Sequence, residues 1–130
     1  MKIVFISLVA LAFANLLPAW SKNLEKQLLI DVTQLSSDVM AGRKPNTPGH
    51  KAAQQYIIKQ FKQSGLKPLG KGYQQVFNYQ KGGRSQPGVN LLGKVEGTLF
   101  AEHYIVVSAH YDHLGQSGNR IYHGANDNAS

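Results

Sequence analysis

Two stretches gather five of the twelve His, Asp and Glu residues: Val107-Ser-Ala-His110-Tyr-Asp112-His113-Leu-Gly115 and Ile121-Tyr-His123-Gly-Ala-Asn-Asp127-Asn-Ala-Ser130. The chain has no cysteine, so a metal site can draw only on His, Asp and Glu. Residues i and i+2 of an extended chain point to the same side. Asp112 can therefore accept a hydrogen bond from one ring nitrogen of His110 while the other nitrogen faces a metal, a pairing that fixes the tautomer and raises ligand basicity. Asp127 follows Asp112 in a Gly-Ala turn, from which its carboxylate can return to the same metal or bridge two. Hard oxygen and imidazole donors without thiolate suit zinc or a similar divalent ion in a catalytic role. His-x-Asp alone is a common polar strand end, so the ordered combination carries the argument. His113 and His123 read as polar rim, His50 as a solvent-facing residue of a helix start and His103 as a strand start. Tyr111 should turn the opposite way, into packing, and Arg43 suits packing or a salt bridge better than a contact with substrate or a neighbouring loop.

The elements that must position these residues are legible in outline. Tyr104 to Ala109 is apolar on successive positions, as expected for a central strand covered on both faces, and it runs directly into His110. In open α/β sheets ligands sit beyond the carboxyl ends of such strands. Leu24, Leu28, Val32, Leu35 and Val39 recur every three or four residues and predict an amphipathic helix over Asn23–Met40. Thr47-Pro48 opens a second helix with threonine as N-cap and proline at its first position, and Ser64-Gly65 ends it before Pro68. Tyr73–Tyr79 and Val89–Val95 read as strands, with Gln80–Gly88 an exposed loop between them. The class is α/β, and 130 residues leave room for one domain, not two.

Met1-Lys2, an apolar run from Ile3 to Leu17 and the small residues before Lys22 describe a secretory signal peptide over residues 1–21. A run of about 15 apolar residues is short for the roughly 20 that span a bilayer. The expected localisation is therefore exported, periplasmic or extracellular, without stable membrane insertion after cleavage. Fourteen basic against seven acidic residues give a net charge of +7. Most are scattered lysines without an Arg-rich block or interleaved aromatics, so they read as solvated faces and nucleic acid is not an expected partner.

The apolar strand, His110-Tyr-Asp112-His-Leu-Gly115 and Gly124-Ala-Asn-Asp127-Asn-Ala-Ser130 together resemble the M28 family of zinc-dependent metallopeptidases, in particular the secreted bacterial aminopeptidases. Upstream, Met40-Ala-Gly-Arg43, Thr47-Pro-Gly49, Lys51-Ala-Ala53, Tyr56-Ile57 and Gly65-Leu66 with Pro68 are similar to that family's N-terminal region. The resemblance implies a three-layer α/β/α fold with a mixed central sheet, peptide substrates and two Zn2+ per complete active site. It implies His110 and Asp127 as metal ligands, Asp127 bridging the two ions, and Asp112 as the catalytic-set carboxylate that orients His110. It also implies a cis bond between Asp127 and Asn128. The family continues with a Glu pair, an Asp ligand and a His ligand downstream of the bridging Asp. Here the acids are Glu25, Asp31, Asp38, Glu96, Glu102, Asp112 and Asp127, no two adjacent, and Glu96 and Glu102 lie at the far end of the expected central strand. The expectation is that residues 22–130 are the N-terminal portion of a longer peptidase domain, inactive alone for want of the general base. Alternatives are a carboxypeptidase or glutaminyl cyclase of the same fold, or a noncatalytic exported basic module.

Overall fold

The computed structural model describes residues 23–100 and 102–130; the expected signal peptide lies outside them. No helix among the described residues is long and apolar enough to cross a membrane. Thr47 is extended (φ −113°, ψ 162°) and its Oγ1 accepts the His50 N–H at 3.3 Å, so α2, Pro48–Gln63, starts as its sequence predicts. Its last turn closes on the Ser64 N–H, which donates to Gln60 O, and Gly65 takes φ +75°.

The first helix, α1, spans residues 23–35 and so ends well short of Met40. The Ser36 and Ser37 hydroxyls donate back to the carbonyls of Val32 and Gln34, competing with onward helix formation. A 3-10 turn, Asp38–Arg43, follows, and Ala41, Gly42 and Arg43 all adopt positive φ (45°, 67° and 49°). This reversal directs Met40 and Arg43 inward and leaves Val39 on the surface, although the helical period had placed it on the apolar stripe. Leu35, Met40, Ala53 and Ala129 form the buried apolar cluster, with Ala52, Tyr56, Ile57 and Tyr111 packed around it. The Tyr56 hydroxyl donates to Asp31 and ties α2 to α1.

The polypeptide from Gln74 to Leu91 is one long hairpin rather than two short strands around a loop. β2 (Gln74–Lys81) and β3 (Arg84–Leu91) pair antiparallel in a register that runs from Gln74 opposite Leu91 to Lys81 opposite Arg84. Gly82 and Gly83 form the two-residue turn at φ +57° and +73°, the left-handed pair whose twist matches the flanking strands. β1 (Lys67–Pro68) pairs with β4 (Gly93–Lys94), and β5 (Gly115–Ser117) with β6 (Arg120–Tyr122), both antiparallel.

Helices with β-structure give the α/β class expected. Among the described residues, however, the sheets are three two-stranded antiparallel pairs, and the mixed central sheet is not assembled. Residues 103–110 have no ladder partner. Ile105 and Val107 are 97% and 92% exposed, where a covered strand was expected. A strand apolar on both faces needs pairing at its edges and cover above and below, and no described element supplies either.

Candidate metal centre

The unpaired segment delivers His110 next to the turn that carries Asp127. His110 Nε2 lies 3.3 Å from Asp127 Oδ1. On the other side of the ring, Nδ1 is 3.5 Å from Asp112 Oδ1 and 3.2 Å from the Asp112 carbonyl. With the Nδ1 proton directed at Asp112, the Nε2 lone pair is the one available for a cation. The three residues singled out from sequence are therefore together. His113 joins them: its Nδ1 is 3.3 Å from Asp127 Oδ2, and its side chain is only 13% exposed. The Asp127 carboxylate thus stands between two imidazoles, one on each oxygen. The Asp127–Asn128 bond is cis, as the resemblance implied.

Glycine is required where the turn passes His113. Gly124 has φ +59°, and a Cβ there would lie 2.6 Å from both the His113 ring and the Asp127 carbonyl oxygen.

Behind the acidic pair the site is dense. Tyr111 points away from His110 and Asp112, as the alternation predicts, and its hydroxyl donates to Val89 O at 2.7 Å. Its ring stacks on His50, with centroids 4.8 Å apart and planes within 2°. His50 is buried rather than solvent-facing, because the first turn of α2 faces this stack. Its Nδ1 accepts from the Gln54 amide at 3.2 Å, while Gln54 Oε1 accepts from Gln74 at 3.1 Å. Burial holds the His50 imidazolium below its ordinary range, with Asp112 opposing the shift.

Arg43 is fully buried. Its Nε donates to Tyr111 O at 2.8 Å, Nη1 to Leu35 O and to His123 O at 2.9 Å, and Nη2 to Gly124 O at 2.8 Å. It is packed as expected, but its partners are backbone carbonyls, two of them in the neighbouring loop, rather than a salt-bridge carboxylate. His123 turns its Nδ1 to Ser36 O at 2.9 Å, at the site's rim. Glu96 is committed elsewhere: Lys67 and Lys94, each at 3.1 Å, hold its carboxyl below the usual range by hydrogen bonds and charge. An open cleft of about 1260 Å³ reaches from Ile57 and Phe61 past Phe77 and Val107 to His110 and Asp127.

The donor set can be tested against zinc. Bonds of about 2.0–2.2 Å at a tetrahedral angle place two donors about 3.4 Å apart, close to the 3.3 Å between His110 Nε2 and Asp127 Oδ1. The pair fits two vertices. Among the described residues no group of three or more His, Asp or Glu side chains is placed to hold one ion. His110, Asp127 and His113 are linked in series through the carboxylate.

Residues 90–130 match the model of Peptidase family M28. The matched stretch contains His110, Asp112 and Asp127, while the upstream similarities at residues 40–68 fall outside it. Neither the curated proteins nor the solved structures compared with the chain gave a match.

Proposed function

From the match of residues 90–130 to the model of Peptidase family M28, we propose that the chain belongs to an exported zinc-dependent aminopeptidase that releases N-terminal amino acids from peptides. The observation that carries this reading is the seating of His110: Nε2 faces Asp127 Oδ1 at 3.3 Å while Nδ1 is engaged by Asp112. His110 and Asp127 are the residues that would hold zinc, and Asp127, with its oxygens turned to opposite sides, is the one that would bridge two ions. Zinc, when bound, supplies Lewis acidity that polarises a peptide carbonyl and acidifies water toward neutral pH. Asp112 keeps His110 in the tautomer that leaves Nε2 unprotonated. His113 holds the second oxygen of Asp127.

No described carboxylate is placed to act as general base. Glu96 is occupied by two lysines, and the remaining acids serve the site itself or lie on other elements. The proposal therefore takes residues 22–130 as the N-terminal portion of the peptidase domain, with residues 1–21 as the signal that exports it. The uncovered apolar segment Tyr104–Val107 supports this, since it has the composition of a central strand and lacks the neighbours one requires.

Zinc titration of the chain, with aminoacyl-nitroanilide hydrolysis measured alongside, tests the reading. The expected result is zinc binding that falls about 10-fold or more in His110→Ala and Asp127→Asn, with no turnover. Zinc binding indifferent to both substitutions refutes the metal site. Chelator-sensitive hydrolysis by residues 22–130 refutes the assignment of the base to another segment.

A further inference from the structure

We propose that Arg43 is a positioning residue of the His110–Asp127 site, a clamp that sets the distance between the strand end carrying His110 and the turn carrying Asp127. The inference rests on the metal-site reading above and assigns a role to a side chain outside the donor set.

A guanidinium with no exposed surface is costly to bury unless its donors are satisfied. Here none of them goes to a carboxylate. Every hydrogen bond described for the side chain ends on a backbone carbonyl, and the acceptors belong to three separate segments: Leu35 at the end of α1, Tyr111, and the pair His123 and Gly124. Tyr111 sits between His110 and Asp112, and Gly124 lies three residues before Asp127. The Arg43 carbonyl also accepts the His113 N–H at 3.3 Å. One residue therefore holds the backbone next to His110, Asp112 and His113 and the turn that leads, three residues on, to Asp127. The planar fork is what permits this, since it sends rigid donors in several directions at once, whereas a lysine ammonium sits on a flexible stem.

The neighbouring backbone points to the same role. Gly42 packs directly on the hairpin that joins the two site segments, so near that a Cβ would lie 2.3 Å from Gly115 O and 2.5 Å from Tyr122 O. The loop from His113 to Gly124 is thus pinned at its base by residue 42 and at both ends by residue 43. Asp112 and Asp127 lie near enough to raise the affinity of Arg43 for its proton, against the larger lowering by burial.

A merely structural arginine would also be buried, so the test separates position from stability. Zinc alone is titrated into the 130-residue chain and into Arg43→Lys, with Gln55→Gly, at an exposed position of α2, as a variant destabilised away from the site. The expected result is a loss of about 10–100-fold in zinc affinity for Arg43→Lys, the range for residues that orient metal ligands, with no measurable loss for Gln55→Gly. Equal affinity in Arg43→Lys and the parent overturns the proposal. In the zinc-free chain the His110 ring 15N shifts should move in Arg43→Lys and stay in place in Gln55→Gly. This readout needs no metal, so it decides the role of Arg43 even if His110→Ala leaves zinc binding unchanged and the metal reading fails. Should Arg43→Lys not fold, exchange of the Arg43 Nε–H in the parent decides: about tenfold or more slower than that of exposed Arg84 and Arg120 is expected, and equal rates overturn the clamp.

Discussion

Gly42→Ala is expected to be a strongly damaging addition of a single methyl group near the site. Two costs add. At φ +67° an L-residue pays for the left-handed region, about 1–2 kcal/mol. The new Cβ would also sit 2.3 Å from Gly115 O and 2.5 Å from Tyr122 O, both backbone atoms that no rotamer change can move. Relief requires the 3-10 turn to withdraw from β5 and β6, an overpacking cost of about 1–3 kcal/mol. Relaxation lets the two costs overlap, and a total of about 3 kcal/mol follows. With a urea dependence of about 1–3 kcal/mol per molar, the unfolding midpoint by far-UV circular dichroism should fall by about 1–3 M. The control is Gly70→Ala, where the added Cβ meets nothing within 4 Å and φ is not left-handed; there the midpoint should hold or rise slightly. If the two variants unfold together, the close approach of Gly42 to the hairpin is not a feature of the folded chain.

Two further predictions concern pH. Burial lowers the His50 proton affinity in the folded chain below its ordinary value of 6.5, so the unfolded state takes up the proton first. Stability should therefore be full above about pH 6.5 and decline as pH falls below it, and urea midpoints of His50→Gln should show a flatter acid limb. The Tyr56 hydroxyl, half-buried and bonded to Asp31, is pushed up from 10.0 to about 12. Its contribution should be intact below pH 10 and lost as pH rises toward 12, and Tyr56→Phe should remove that alkaline limb.

What could be read in the chain without coordinates follows the range of the interaction. Thr47-Pro48 and Ser64-Gly65 act within a turn of their own positions, and α2 begins and ends at them. The His110–Asp112 pairing spans two residues and needs only extended backbone, so it too was legible. Gly82-Gly83 is a local hairpin signal of the same kind, yet the polar residues around it favoured a loop reading. The strand pair is in fact largely exposed on both sides, so apolar alternation had little to report. Helix period misplaced Val39 because serine hydroxyls and the left-handed run at residues 41–43 end the helix before it. The burial of His50 leaves no local trace because its partner, Tyr111, lies across the fold. Arg43 leaves the least trace of all. Its acceptors are backbone carbonyls, a group that nearly every residue carries, so no side-chain type at positions 111, 123 or 124 marks the contact.

The two sides of the proposed metal centre are unequal, and the inequality bears on how strongly the chain should bind zinc. Toward the core, His113, Tyr111, His50 and Arg43 form a wall of hydrogen-bonded and stacked groups, which holds the backbone near both donors. Toward the cleft, the His110 and Asp127 side chains remain 55% and 62% exposed, and among the described residues no third donor approaches. A catalytic zinc takes three protein ligands and keeps one position open. Two ligands with a fixed separation should therefore bind with an affinity set by how well that separation is held, because no further ligand can compensate for an error in it. It follows that positioning substitutions such as Arg43→Lys should register more clearly in zinc affinity here than in a site with a full complement of donors. A zinc affinity already as high as that of a three-ligand site would instead require a donor that the geometry of residues 110–127 does not provide.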